Sequence, residues 1–92
     1  MSLESKLTKH CKERMKERNI SLKMMEAIAY CGERFNDSDK YGNPSIRYSL
    51  NENSYDRYPY LDESWKGLSM FSNMNGTIKT VYKNEGKYFK NS

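Results

Sequence analysis

The chain has 92 residues, of which 36% are hydrophobic and 30% are charged, and its formal net charge is +4. So short and polar a chain is typical of one small domain, because it cannot divide into two hydrophobic cores. It has no apolar run near the roughly 18 residues of a membrane span and no apolar signal region at its start, so we expect a cytoplasmic protein without a membrane partner.

The two cysteines, Cys11 and Cys31, stand far apart in the chain. They lack the C-x-x-C spacing of zinc and redox sites, and His10 is the only histidine, so we expect no metal and no cofactor. Both cysteines fall at apolar positions of helical segments, which predicts buried thiols rather than a disulfide.

Two helical segments are expected in the first third of the chain. Thr8 is suited to cap a helix over residues 9–18, and Asn19 is suited to end it in the left-handed backbone conformation. Ser21 is suited to cap a second helix, which ends at Cys31-Gly32. Neither segment contains an internal glycine or proline that would break it.

After the second helix, the apolar residues change from a helical period to alternation, which predicts β-strands. The clearest hairpin signal is Asn75-Gly76, which lies between two alternating segments. Residues 37–44 have the composition of a turn. Residues 51–66 are polar and tyrosine-rich, which predicts a long loop with a helical turn around residues 62–66. The expected strands are 33–36, 45–50, 67–73 and 77–83.

The order of these elements predicts an α+β fold, in which two N-terminal helices pack on one face of a three- or four-stranded antiparallel sheet. We expect one domain over residues 1–92, with a helical hairpin at 7–31, the sheet at 33–83 and a tail at 84–92.

The first helix has an unusual distribution of charge. At about 100° per residue its three lysines cluster on one side, which predicts a solvated face. The other side combines apolar residues with the only histidine and two arginines: Leu7, Cys11, Met15, His10, Arg14 and Arg18. Because a buried guanidinium group needs an acid, a carbonyl oxygen or water, both arginines require partners.

Two interpretations of this helix side remain open. In the structural one, Arg14 and Arg18 extend past the sheet edge to acidic partners, with His10 hydrogen-bonded nearby. In the functional one, the three side chains line a cleft between helix and sheet, where arginine binds phosphate in a bidentate manner and histidine moves protons.

The beginning of the chain resembles a small family of bacteria and phages. The stretch Leu7-Thr8-Lys9-His10-Cys11-Lys12-Glu13-Arg14-Met15-Lys16-Glu17-Arg18-Asn19-Ile20-Ser21 is similar to the opening of domain of unknown function 4258, with its spaced histidine and two arginines. Gly76-Thr77-Ile78-Lys79-Thr80-Val81-Tyr82 is similar to the closing strand of that family, and Gly32-Glu33-Arg34 to its helix-to-strand junction.

This resemblance leaves residues 51–66 without a counterpart, and Asn19 and Cys11 replace the usual Gly and Ala. It implies a helix-then-sheet layout similar to the RelE-like ribonuclease toxins of toxin–antitoxin systems, and an origin in a mobile genetic element.

The enzyme hypothesis is metal-independent cleavage of RNA. That reaction needs a base for the ribose 2′-hydroxyl, an acid for the leaving oxygen and cations around the phosphorane. We expect His10 to be the base or the acid, and Arg14 and Arg18 to hold the phosphate.

The last strand carries further candidates for the same reaction. Thr80 or Tyr82 would be a positioning donor, and Lys79 and Lys83 would bind the RNA backbone. Alternation places Thr80 and Tyr82 on one face with Ile78, which is equally consistent with residues of the core or of the sheet surface.

The binding hypothesis keeps the same cationic residues without catalysis. In that case the partner is RNA, another nucleic acid or an acidic, antitoxin-like protein, and the chain is a regulator or inhibitor. A third hypothesis is a structural module in which Arg14 and Arg18 only fix the helix on the sheet.

Overall fold

Helices and strands divide the chain as follows. The computed structural model describes residues 3–83, so the expected tail at 84–92 lies outside the described residues. The helices are α1 (Lys9–Glu17), α2 (Leu22–Cys31) and α3 (Glu52–Arg57), with single 3-10 turns at Leu3–Lys6 and Glu63–Trp65. The strands are β1 (Glu33–Ser38), β2 (Pro44–Ser49), β3 (Leu68–Asn73) and β4 (Ile78–Lys83). None of the described helices is long and apolar enough to cross a membrane.

The ends of α1 and α2 follow from local side-chain chemistry. The Thr8 hydroxyl accepts a hydrogen bond from the Cys11 amide at 3.1 Å, and the Ser21 hydroxyl accepts one from the Met24 amide at 3.2 Å. Asn19 adopts a φ of 56° and ends the first helical segment. The predicted caps and the left-handed stop are therefore confirmed.

The four strands form one antiparallel sheet in the order β1-β2-β3-β4, which confirms the α+β fold. β1 and β4 are its edges. β1 is longer than the predicted 33–36 because Asp37 and Ser38 still pair with Ser45 and Pro44 of β2. The β3–β4 hairpin turns at Asn75-Gly76, as predicted, and Gly76 supplies the positive φ of 88° that this turn requires.

A β-bulge interrupts the pairing of β3 and β4. Phe71 lies opposite Thr80 and Ser72 lies opposite Ile78, which leaves Lys79 as an extra residue in β4. An extra residue shifts the alternation of side chains by one position, so residues before and after it exchange faces.

The bulge overturns the prediction that Ile78, Thr80 and Tyr82 share one face. Ile78 and Val81 enter the core and are 3% and 0% exposed. Thr80 and Tyr82 lie on the opposite face, where the Tyr82 ring stacks on Phe71 with a centroid distance of 5.7 Å. Thr80 and Tyr82 are therefore residues of the sheet surface, which confirms one of the two structural alternatives, and a place for them in the core is wrong.

The core lies between the helices and one face of the sheet. Cys11 of α1 and Met25 and Ile28 of α2 are all 0% exposed. Their main partners from the sheet and its connections are Leu50, Leu61, Leu68, Met70, Ile78 and Val81. We call the opposite side of the sheet the far face; across the four strands it carries the row Phe35, Arg47, Phe71 and Thr80.

The segment 51–66 is not the loop that its composition predicts. Asn51 caps α3, since its side-chain oxygen accepts a hydrogen bond from the Ser54 amide at 3.1 Å. The Tyr55 hydroxyl then donates to the carbonyl oxygen of Asp62 at 2.6 Å, which fastens α3 to the following turn. Burial raises the pKa of Tyr55 to about 12, which favours its neutral, donating form.

Gly32 follows α2, as predicted, but not in a left-handed conformation. Its φ is −70° and its ψ is 147°, which any residue adopts. A Cβ atom at this position would overlap the Ile28 carbonyl oxygen and lie 3.2 Å from the Ser49 amide nitrogen. Glycine is therefore required because residue 32 lies close to the last carbonyl groups of α2 and to the end of β2, and not because of its backbone angles.

We expect Gly32→Ala to lower the free energy of unfolding by about 1–3 kcal/mol, the usual range when a methyl group is forced into a packed site. Urea unfolding followed by circular dichroism measures this change. A variant with an unchanged unfolding midpoint would contradict the close approach.

Candidate functional site

The helix α1 docks along the outer edge of β4. Leu7 forms a parallel bridge with Ile78, and the Thr8 amide donates to the Ile78 carbonyl oxygen at 3.1 Å. The Thr8 hydroxyl donates to the carbonyl oxygen of the bulge residue Lys79 at 3.2 Å. The α1 segment thereby satisfies backbone groups of an edge strand that would otherwise be open to another chain.

Arg18 makes a further contact with the same strand. Its Nη1 donates to the Val81 carbonyl oxygen at 3.3 Å, and the residue is exposed. Val81 lies between Thr80 and Tyr82, so the guanidinium group of Arg18 reaches the backbone at the part of β4 that carries these two predicted residues.

His10 and Arg14 lie side by side one turn apart. The Arg14 Nε lies 3.5 Å from the His10 Nε2, and the Arg14 Nη1 lies 3.4 Å from a carboxylate oxygen of Glu17. The Arg14 side chain is 39% exposed and the Glu17 side chain is 59% exposed. An exposed pair of this kind contributes little to stability. Because the Arg14 side chain is partly exposed, its guanidinium group is accessible to a ligand.

The cleft of the functional interpretation is therefore replaced by an exposed surface, on which Arg14 has an acidic partner, Glu17, and lies beside His10, as the structural interpretation expects. His10 and Arg18 are exposed and Arg14 is half-buried, although all three lie next to residues of α1 that enter the core. The physical reason is the position of α1: it packs mainly against the edge strand β4, so one flank of its inner side passes beyond the sheet and meets water. The helical angle predicted correctly which side of α1 carries these three residues, but it could not predict where the sheet ends.

Positive charge is concentrated in these two elements. The segment from α1 through Arg18 and the strand β4 carry seven basic side chains and two acidic ones: Lys9, Lys12, Arg14, Lys16, Arg18, Lys79 and Lys83 against Glu13 and Glu17. The whole chain has a net charge of only +4. The rest of the chain is thus close to neutral, and we call this cationic part the α1–β4 side.

The predicted site residues lie on two different surfaces of the protein. Thr80 and Tyr82 belong to the far face of the sheet, whereas His10, Arg14 and Arg18 flank the edge. The Lys83 side chain extends toward the 3-10 turn at Glu63–Trp65, where its Nζ donates to the Ser64 carbonyl oxygen at 3.1 Å. The structure therefore brings together the α1 residues, but it separates them from the side chains of Thr80 and Tyr82.

A cavity of about 490 Å³ contains two of the predicted residues, Lys79 and Thr80, together with residues that the sequence did not single out. It lies where the β1–β2 turn approaches the bulge, and it includes Lys40, Ser45, Phe71 and Ser72. These residues are far apart in sequence, and no local pattern links them.

The carboxylate of Asp39 also borders this cavity, but it is engaged in the β1–β2 turn. One of its oxygens accepts hydrogen bonds from the amides of Asn43 and Tyr41, each at 2.9 Å. The Asn43 amide contributes most to lowering the pKa of Asp39, and the positive charge of Lys79 adds to it.

Among residues 3–83 there is no cluster of three or more histidine, cysteine or acidic side chains that could hold a metal ion. Comparison of the chain with family models, curated proteins and solved structures finds no match. The features of this chain that bear on its function are therefore the α1–β4 side and the cavity.

Replacing Arg18 with methionine keeps the apolar part of the side chain and removes its hydrogen bond to Val81. We expect Arg18→Met to lower the free energy of unfolding by about 0.5–1.5 kcal/mol, because the freed carbonyl group is then satisfied by water. Urea unfolding measures the loss. Arg14→Ala is the matched comparison, and we expect it to cost at most about 1 kcal/mol. A much larger loss for either variant would indicate a buried partner and support the structural hypothesis.

Proposed function

We propose that this chain is a small toxin-like domain that binds RNA through the phosphate backbone, on its α1–β4 side. The observation that carries this proposal is the excess of basic over acidic side chains on α1 and β4 in a chain that is otherwise nearly neutral. Such a concentrated positive surface attracts polyanions over distances longer than any single contact.

The chemistry of the cations favours phosphate as their ligand. Within residues 3–83 the accessible guanidinium group of Arg14 contacts His10 and Glu17, and Arg18 has further donors besides the one bonded to Val81. A guanidinium group presents two parallel N–H donors that match two phosphate oxygens, a fixed planar fit that an ammonium group lacks. The lysines of α1 lie on the opposite, solvated side of the helix, so they add to the positive potential around the arginines without lining the same surface.

A single strand fits the arrangement better than a duplex. Next to the cationic edge, the far face carries the stacked rings of Phe71 and Tyr82, both of them half-buried. Unpaired bases stack on aromatic side chains while the backbone follows basic residues, which is the common mode of single-strand binding. RNA is the strand type suggested by the likeness of the helix-then-sheet layout to RelE-like ribonuclease toxins, which is an analogy at the level of the fold.

RNA cleavage without a metal ion is a second function, favoured by the position of His10. Its Nε2 lies 3.5 Å from the Arg14 Nε, so an imidazole and a guanidinium group lie side by side on the surface. A scissile phosphate bound by Arg14 would bring its neighbouring 2′-hydroxyl within reach of this imidazole, which would remove or supply the proton.

Removal of one phosphate-binding guanidinium should weaken RNA binding regardless of base sequence. We expect Arg14→Ala and Arg18→Ala each to reduce the slope of log affinity against log salt concentration by about 1. Fluorescence anisotropy with a labelled single-stranded RNA over a salt series measures this slope. The control is Arg57→Ala, because Arg57 lies on α3 beside Glu33 of the opposite edge strand.

Equal losses for the Arg57 control and the two α1 variants would contradict a localised site. Binding with a shallow salt dependence in the wild-type protein would contradict phosphate as the main ligand, and an acidic protein partner would then become the better candidate for the α1–β4 side.

The cleavage hypothesis predicts that the wild-type protein cuts single-stranded RNA in the presence of EDTA. We expect His10→Ala to reduce the rate by about 10²–10⁴-fold, the usual contribution of a general acid or base. Denaturing gel electrophoresis of a labelled RNA measures the rate, and anisotropy with a DNA analogue that lacks the 2′-hydroxyl verifies that the variant still binds. Equal cleavage by both proteins would remove His10 from the mechanism, and no cleavage by either would leave RNA binding alone.

A further inference from the structure

An open groove of about 730 Å³ lies between α2 and the connection from α3 to β3. Lys23, Ala27 and Tyr30 recur at helical spacing, so they share one side of α2, while Met25 and Ile28 enter the core. The connection supplies the other wall with Tyr60, Leu61, Asp62 and Trp65. We call this concavity the α2 groove. It shares no residue with the α1–β4 side.

Aromatic side chains line both walls of the α2 groove. Tyr30 is 80% exposed and Tyr60 is 78% exposed, whereas Trp65 is half-buried against the core. The Tyr60 ring contacts the Tyr58 ring edge to face, with a centroid distance of 6.1 Å. Tyrosine and tryptophan are enriched at protein-binding surfaces, because each contributes a large, stiff contact area at little cost in conformational entropy. The groove therefore has the composition of a surface that another protein contacts.

The wall formed by the connection is held in place by hydrogen bonds. The Leu61 amide donates to the Tyr58 carbonyl oxygen at 3.1 Å, and the Trp65 amide donates to the Asp62 carbonyl oxygen at 3.0 Å. The same Asp62 carbonyl oxygen accepts the hydrogen bond from the Tyr55 hydroxyl. A wall that is already ordered reduces the entropy lost when a ligand binds.

The α2 groove also carries negative charge. Glu26 and Asp62 line it together with Lys23, and Glu63 follows Asp62 in the chain. The Ser64 hydroxyl and amide donate to one oxygen of Asp62 at 2.7 and 2.9 Å, and these bonds lower the pKa of Asp62. An ionised carboxylate has about four acceptor positions, so Asp62 can accept further hydrogen bonds. The groove thus has the opposite sign to the α1–β4 side.

A ring beside a carboxylate is a suitable site for a cation. The far face already contains this combination, where the Arg47 guanidinium lies 4.3 Å from the centre of the Phe35 ring and its Nε lies 3.7 Å from an Asp37 oxygen. The face of an aromatic ring attracts the cation, and the carboxylate neutralises it. Aromatic and acidic side chains in the α2 groove offer the same chemistry.

The described part of the chain does not supply a cation to the rings of this groove. The cation–ring contacts within residues 3–83 involve other aromatic residues, namely Phe35, Tyr41, Tyr48 and Tyr55. Arginine is the cationic side chain that matches the α2 groove best. Its planar guanidinium group stacks on a ring and donates two parallel hydrogen bonds to a carboxylate, whereas an ammonium group is a compact point charge.

We propose that the α2 groove binds an arginine-containing segment of a partner protein. An arginine of the partner stacks on the rings of Tyr30, Tyr60 or Trp65 and donates hydrogen bonds to Asp62 or Glu26. This interaction is independent of RNA binding, because the α2 groove and the α1–β4 side consist of different residues.

Trp65 is the only tryptophan of the chain, so its fluorescence emission reports directly on the occupancy of the groove. The probes are a short peptide of alternating arginine and alanine and the same peptide with lysine in place of arginine. We expect the arginine peptide to change the emission and to bind at least about threefold more tightly, because arginine stacks on aromatic rings more favourably. Equal binding of both peptides would overturn the proposal, as would an unchanged emission at millimolar peptide.

Two substitutions in the groove have matched controls elsewhere. We expect Tyr30→Ala and Asp62→Asn each to weaken binding of the arginine peptide at least about threefold. Asparagine keeps an acceptor oxygen for the Ser64 amide, so this variant removes the charge and retains the turn. The controls are Tyr41→Ala, since Tyr41 is 77% exposed in the β1–β2 turn, and Asp56→Asn, since Asp56 is exposed on α3. Equal losses in the controls would overturn the proposal.

The two proposals separate in the same set of proteins. If the wild-type protein binds the arginine peptide but not RNA, the proposed function fails and the groove proposal stands; the reverse result overturns the groove proposal alone. We expect Tyr30→Ala to bind RNA with wild-type affinity. A wild-type dimer in analytical ultracentrifugation that Tyr30→Ala converts to a monomer would indicate a second copy of the chain in the groove, and it would overturn the groove proposal.

Discussion

The docking of α1 on the edge of β4 is the constraint on which the rest of the structure depends. An edge strand exposes amides and carbonyl groups, and here Leu7, Thr8 and Arg18 satisfy several of them through backbone and side-chain contacts. The same contacts fix the rotation of α1. Cys11 is turned into the core, while His10 and Arg14 pass beyond the sheet into solvent. The same packing arrangement therefore satisfies backbone groups at the edge of the sheet and exposes the cationic side chains of α1.

The bulge at Lys79 has an equally wide effect on the chemistry of the protein. Without the bulge, Ile78 and Thr80 would share a face, so either Ile78 would leave the core or Thr80 would enter it. With it, apolar residues of β4 enter the core on both sides of Lys79, and Thr80 reaches the far face beside Phe71. The strand that carries part of the cationic surface also forms a wall of the cavity. A nucleic acid strand bound on the α1–β4 side, as we propose, would therefore meet aromatic residues without crossing the domain.

Local chemistry was sufficient for much of the fold, because caps and turns depend on residues close in sequence. Thr8, Asn19 and Ser21 have the roles that their side chains predict, and Asn75-Gly76 forms the turn. The position of α1 at an edge depends on distant contacts, so the helical angle identified the correct side of α1 but predicted a cleft instead of a surface. Strict alternation cannot reveal a bulge, which is why it predicted Thr80 on the same face as Ile78. The cavity joins a turn to two later strands, and no spacing in the sequence indicates it.

The burial of Cys11 makes the motion of the first helix measurable. Its thiol is fully enclosed between α1 and the sheet, and burial raises its pKa, so the reactive thiolate is scarce in the closed state. A thiol reagent modifies Cys11 only when α1 separates from β4, whereas Cys31 is partly accessible from the start. The rate at which Cys11 is alkylated therefore measures how often α1 separates from β4. The alkylation rate of Cys31 provides an internal standard. No foreign probe has to be introduced to learn how firmly the cationic surface is held.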